Sequence, residues 1–324
     1  MYTLKDCQNV INTELEGIFL NEEHKGLYEP VRYILSIGGK RLRPSLTLMS
    51  CNLFTDEIDN AIYPAIAIEL FHNFTLMHDD VMDRSEIRRS SPTVHKKWNE
   101  NAAILSGDVL LVKSYEYFSK CPENIFRSAL EVFTETAIKV CEGQQYDMEY
   151  EVRSNVSISE YLKMIELKTA ALIAGALRIG ALAGQASPYS ADLLYEFGRS
   201  IGIAFQLQDD LLDVYADPEV FGKSGGGDIV SNKKTYLLIS ALNSKNTGLV
   251  NIVKEWMGRA KFDKGEKIRE ITRIFDELNL RELTSEKIDY YFDTGLEFLD
   301  KLPVPDSRKS ELREVVSKLL NRKK

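Results

Sequence analysis

The pattern Asp-Asp-x-x-Asp occurs twice, as Asp79-Asp80-Val81-Met82-Asp83 and as Asp209-Asp210-Leu211-Leu212-Asp213, and each copy is embedded in an apolar stretch. Carboxylates without partners are costly to bury, so a fold that takes in these segments must also bring cations to them. If both segments are helical, the first and fifth residues of each motif lie on one face, a turn apart, and present a pair of carboxylates to one point. Asp80 and Asp210 are rotated by about 100° from that face, where each can serve as a flanking ligand or a hydrogen-bond partner. Two such pairs facing each other would chelate Mg²⁺, which takes a few carboxylates together with phosphate oxygens and water. A phosphate-rich ligand follows.

Only 9 prolines and 19 glycines interrupt the 324 residues, which favours long helices over strands and turns. Helical periodicity is best at 105–118, 129–140, 191–214 and 310–320, with candidate breaks at Gly38-Gly39, 85–92, Cys121-Pro122, 185–188 and 217–232. None of the breaks reads as an interdomain linker. The expectation is an all-α protein, one large bundle-like domain over 1–324. The apolar run 170–184 is too short for a membrane span and carries Arg178 in its middle, so it predicts a tightly packed internal helix. The polar start MYTLKDCQNV lacks the layout of a signal peptide, and Cys7, Cys51, Cys121 and Cys141 show no zinc-type spacing, which together predict reduced thiols in a cytoplasmic setting.

A net charge of −8 argues against nucleic acid as a partner. Binding a phosphate ligand therefore needs local basic patches. These exist at Lys40, Arg41 and Arg43, at Arg84, Arg88 and Arg89, and at Lys233 and Lys234. In GGKRLRP (38–44) the glycines let backbone approach a ligand while Lys40 and Arg43 reach its phosphate. His72 precedes Asp79 by seven residues, close to two helical turns, and so shares the metal-facing side.

The chain resembles the trans-isoprenyl diphosphate synthases of the polyprenyl synthetase family over nearly its whole length. The resemblance rests on GGKRLRP, on HDDVMDRSEIRRSSPTVH at 78–95, on GQQYD at 143–147, on LKT at 167–169, on FQLQDDLLD at 205–213, and on GKSGGGDIVSNKKTY at 222–236. It implies a helical bundle around a central cavity, with Asp79, Asp83 and Asp209 holding Mg²⁺ on an allylic diphosphate and Asp80, Asp210 and Asp213 supporting them. By the same resemblance Lys40, Arg43, His72 and Arg89 bind the diphosphate of isopentenyl diphosphate, and Arg88 binds the allylic one. Lys168, Thr169, Gln206, Lys223 and Lys233 match positions on the allylic side, where lysines supply point charges and the Thr169 and Gln206 groups offer dipoles to a carbocation. Gln144 and Asp147 match a family motif with a supporting role. Members are usually homodimers, so a homodimer without a membrane span is expected.

The implied reaction is head-to-tail prenyl transfer. The product tail should grow along the helix preceding Asp79, where Thr75, Phe74 and Phe71 lie roughly 6–12 Å below the aspartate. A bulky Phe74 with a smaller Thr75 resembles geranylgeranyl-type synthases, with farnesyl diphosphate or a longer polyprenyl diphosphate as the alternative product. Three other readings have discriminating signs. A class I terpene cyclase would carry an Asn/Ser/Glu-type second motif and lack GGKRLRP. A di-iron bundle needs two Glu-x-x-His motifs, and only Glu69-Leu-Phe-His72 fits. A non-catalytic partner subunit tends to lose its aspartates.

Overall fold

The computed structural model describes residues 1–18, 23–216 and 225–320. It is almost entirely helical, as the periodicity predicts, and it divides into two compact units that are each discontinuous in sequence.

The first unit comprises Met1–Thr134, Gly175–Leu194 and Pro303–Leu312. It opens with α1 (Leu4–Gly17), started by a reciprocal capping box between Thr3 and Asp6, and continues through α2 (Lys25–Ser36), α3 (Leu42–Asn52) and α4 (Asp59–Met82). In α4 every residue from Ala65 to Phe71 is buried. A helix apolar on all sides must be enclosed by others, and α4 packs against α3 and against α6 (Glu100–Phe118). Between α4 and the short α5 (Val94–Lys97), the expected break at 85–92 forms a two-stranded antiparallel ribbon, β1 (Ile87–Arg88) with β2 (Ser91–Pro92). Its two turn residues, Arg89 and Ser90, both take left-handed φ, the pattern of the tight hairpin turn whose twist suits paired strands. Phe118 stacks on Phe133 at 4.9 Å and Phe71 meets the same ring edge-on at 5.6 Å. Such pairs add roughly 0.5–1.5 kcal/mol each beyond their burial.

Residue 134, where the first segment of this unit ends, lies within α7 (Glu123–Val152). The Ala/Gly-rich run forms α9 (Ala171–Ala183), and Ser50 donates to the Leu177 carbonyl at 2.6 Å, seating α9 on α3. Among the described residues no helix is long and apolar enough to cross a membrane. All four cysteines are free thiols.

The second unit comprises Glu135–Ala174, Tyr195–Leu302 and the chain from Arg313 onward. Here α8 (Ile158–Ile165), capped by Ser157 and Glu160, runs into a π-helical turn at Glu166–Ala170 before α9 begins. Next come α10 (Pro188–Tyr215), which enters this unit at Tyr195, α11 (Gly227–Ser231), α12 (Tyr236–Leu242), α13 (Thr247–Gly258), α14 (Lys264–Glu277), α15 (Leu280–Asp300) and α16 (Asp306–Leu320), which enters it at Arg313. Their apolar faces close on one core that includes Met164, Leu207, Leu237, Trp256 and Phe275. Burying one such side chain stabilises by about 1.5–3 kcal/mol. The second half of the break expected at 217–232 is thus a short helix, ended by Asn232 in the left-handed conformation.

Candidate active site

In the first unit, Asp79, Asp80 and Asp83 occupy the last turn of α4 and its cap, and the Asp83 N–H closes on the Asp79 carbonyl at 2.8 Å. The three carboxylates differ in exposure. Asp80 is 1% exposed, whereas Asp79 is half-buried and Asp83 exposed. Asp80 takes the guanidinium of Arg88, with Nε at 2.9 and 2.8 Å from its two oxygens and Nη2 at 2.7 Å. That charge-assisted grip ties Arg88, at the turn end of β1, to the last turn of α4.

Four arginines surround His72. Burial, and then Arg43, Arg89, Arg88 and Arg41 in that order, hold its imidazole well below the usual histidine range, so the ring stays neutral. Arg43 Nη1 lies 3.3 Å from His72 Nε2. Arg89 donates to the Gly38 carbonyl, and burial lowers the pKa of its guanidinium. This approach needs glycine: Gly39 has φ +143°, and a Cβ there would stand 2.7 Å from Arg89 Nη1. Between Lys40 and Arg43 the backbone at Arg41 is left-handed, which sends that side chain inward to Glu69 at 2.6 Å and to the Leu35 carbonyl at 2.6 Å. Glu69 also accepts from Asn73 at 3.0 Å. The run Lys40-Arg41-Leu42-Arg43 therefore divides its cations, with Lys40 exposed, Arg43 beside His72, and Arg41 closing a buried ion pair. Glu69, one half of the lone Glu-x-x-His match, is engaged by Arg41 and Asn73.

Phe71, Phe74 and Thr75 follow one another down α4. Phe74 meets Phe71 at 5.5 Å and the His78 ring at 4.7 Å, and Thr75 donates to the His72 carbonyl at 2.8 Å. Phe71 is fully buried and Phe74 half-buried.

In the second unit, Lys168, Thr169, Gln206, Asp210 and Lys233 line one small cavity of about 40 Å³ with Asp147. The π turn supplies Lys168 and Thr169. A Cβ on Gly143 of α7 would lie 2.2 Å from the Lys168 backbone nitrogen, so α7 and the π turn touch backbone to backbone. Lys168 pairs with Asp147 at 2.5 Å. Thr169 donates to Gln206 Oε1 at 2.9 Å, and Gln206 Nε2 donates to Asp210 Oδ1 at 3.0 Å. The other Asp210 oxygen accepts from the Tyr161 hydroxyl and, at 3.5 Å, from the Tyr236 N–H.

Asp209 is half-buried on α10, and Asp213 Oδ2 accepts the Asp228 N–H at 2.9 Å. Burial raises the Asp210 carboxyl. Asp228 is pushed to about 7 by burial and by Asp213, Asp210 and Asp147, against the lowering pull of Lys233, whose ammonium lies 3.9 Å away. Lys223 lies outside the described residues.

Tyr161 and Asp228 escape a sequence reading for different reasons. Tyr161 sits in the apolar run YLKMI and looks like core. Asp228 carries a signal in its place between a glycine run and two lysines, but nothing local ties it to Asp213.

Among the described residues no three His, Cys, Asp or Glu side chains group closely enough to enclose an ion by themselves. Mg²⁺ does not require that, because it is commonly held by one or two carboxylates and completed by substrate phosphates and water. The oxygen-only donors of the two motifs suit it. Asp228, whose carboxyl is raised first by burial and then by Asp213, Asp210 and Asp147 against the pull of Lys233, adds a further oxygen donor beside Asp213.

The description "Polyprenyl synthetase" belongs to the family model that matches residues 24–275. The chain is 40% identical over 309 residues to a geranylgeranyl diphosphate synthase of Methanosarcina mazei, covering 92% of this chain and 91% of that one. A geranylfarnesyl diphosphate synthase of Natronomonas pharaonis is 36% identical over 74% of this chain and 75% of its own. A solved structure of a geranylgeranyl pyrophosphate synthase superposes with a TM-score of 0.95 at 40% identity, each chain covered in full. With a family model matched over most of its length and relatives aligned nearly end to end, the chain belongs to the polyprenyl synthetase family of trans-prenyltransferases.

Proposed function

We propose that the protein condenses isopentenyl diphosphate head-to-tail with an allylic diphosphate, releases diphosphate, and makes geranylgeranyl diphosphate as its main product. The observation that carries the reading is the ring of arginines around an uncharged His72, two turns before Asp79 on the same helix. A site that gathers cations around a neutral imidazole suits a polyanion.

In this reading residues 1–324 act as one catalytic domain, and each aspartate motif serves a diphosphate through Mg²⁺. Lys40, Arg43, His72 and Arg89 hold the diphosphate of isopentenyl diphosphate. Arg88, Lys168, Lys223 and Lys233 neutralise the allylic diphosphate. Asp79, Asp83 and Asp209 hold Mg²⁺, which when bound supplies Lewis acidity toward the departing diphosphate. Asp80, Asp210 and Asp213 support the site through Arg88, Gln206 and the Asp228 backbone. Gln206 Oε1 keeps a second lone pair beside the one that accepts from Thr169, and it offers that dipole to the allylic cation. The double bond of isopentenyl diphosphate attacks this cation, and the proton then lost goes to the departed diphosphate. Phe71 and Phe74 exclude water and form the floor under the growing tail. The working assembly is a homodimer.

The test is incubation of the purified protein with Mg²⁺, isopentenyl diphosphate and, in turn, dimethylallyl, geranyl and farnesyl diphosphate, with products resolved by chromatography. Geranylgeranyl diphosphate is expected from each starter. No condensation at saturating substrate overturns the proposal.

A further inference from the structure

We propose that Tyr161 is a positioning residue for prenyl transfer: by holding one oxygen of Asp210 it sets which end of the Gln206 amide faces Thr169 and the allylic substrate. This rests on the reading of Gln206 as a substrate-facing residue.

Tyr161 and Asp210 are 2% and 3% exposed, so neither exchanges its bond for water. Every member of the chain Tyr161–Asp210–Gln206–Thr169 is a neighbour of the same cavity. Gln206 and Asp210 stand one turn apart on α10, while Tyr161 and Thr169 come from α8 and the π turn that continues it. An amide can be turned end for end at little cost in shape, so something must tell its oxygen from its nitrogen. Thr169 does not do so, because a hydroxyl donates or accepts equally well. Asp210 does, because a carboxylate only accepts and therefore admits the Gln206 NH₂ group alone, 3.0 Å from Oδ1. The amide oxygen is thereby left to Thr169. Asp210 keeps its own rotamer through its second oxygen, to which the Tyr161 hydroxyl donates and beside which the Tyr236 N–H stands at 3.5 Å. Without the hydroxyl, Asp210 loses its main anchor. Gln206 then loses the partner that distinguishes its two ends.

The measurement is steady-state kinetics of Tyr161→Phe, which keeps the ring and removes only the hydroxyl, alongside Gln206→Ala, the double variant and Asp210→Asn. For Tyr161→Phe, kcat is expected to fall about ten- to hundredfold, the worth of one hydrogen bond to a charged group. KM for isopentenyl diphosphate and the Mg²⁺ concentration for half-maximal rate should stay within about twofold, the changes a purely structural defect or a metal-ligand role would not leave alone. The double variant should be no slower than Gln206→Ala, because the two residues act as one unit. Asp210→Asn, whose amide can offer either its oxygen or its NH₂ to Gln206 and so no longer tells the two ends apart, should show the same loss of kcat and serves if Tyr161→Phe does not fold. Wild-type kcat in Tyr161→Phe, losses that multiply in the double variant, or a raised Mg²⁺ requirement would overturn the inference. Wild-type kcat in Gln206→Ala would instead overturn the reading of Gln206 on which the inference rests.

Discussion

His72 shows how one residue reports the purpose of its surroundings. Its imidazole is held below the usual value of 6.5 by burial and by four arginines, so the unfolded chain takes up a proton there before the folded one does. Stability from this residue is complete above the unfolded value and is lost as pH falls toward the folded one. In the ligand-free protein this loss should reach about 1.4 kcal/mol per pH unit below about 6.5, and His72→Gln should remove that slope in urea titrations. Phe74 bears on the product. If its ring is the floor, Phe74→Ala should lengthen the product distribution by at least one isoprene unit, read by chromatography; an unchanged distribution would move the floor elsewhere. The aspartates and arginines of the candidate site are legible in sequence because charge inside apolar runs is conspicuous. Tyr161 is not, since its partner Asp210 is 49 residues away and an aromatic ring in an amphipathic helix ordinarily means core.

Among the elements, the π turn at Glu166–Ala170 decides the most. A π turn leaves the regular ladder locally, and here it places Lys168 and Thr169 side by side on the cavity. It also lets α7 approach until only hydrogen fits at Gly143. Gly143→Ala must therefore move backbone, and a cost of about 1–3 kcal/mol is expected from overpacking, seen as a lowered denaturation midpoint together with reduced kcat. Periodicity alone does not reveal such a turn, because LKT reads as continuous helix. The same limit applies to α11, whose five residues are too few to show a period, so that 217–232 reads as a loop throughout. The breaks at Gly38-Gly39, at Cys121-Pro122 and at 185–188 were legible because glycine and proline mark them with stereochemistry.

At the scale of the whole molecule, the all-α class was legible from the scarcity of helix breakers and from the apolar periodicity. The division into two units was not, because no linker marks it and each unit is gathered from separate stretches of chain. The proposed metal role also belongs to this scale. Because the described carboxylates form no enclosed cage of their own, Mg²⁺ should contribute to turnover and little to folding. Chelation with EDTA is expected to abolish condensation while leaving the helical circular dichroism and its melting midpoint nearly unchanged, and added Mg²⁺ should restore activity. A collapse of the melting midpoint on chelation would assign the ion a structural role. The buried pair of Arg41 and Glu69 has one more consequence. By cancelling a positive charge next to Arg43 and Arg89, which we propose bind diphosphate, Glu69 moderates how tenaciously that pocket would retain an anion. A variant chain that neutralised Glu69 would cling to the diphosphate end of the new product, and product escape in place of bond-making would then govern its throughput.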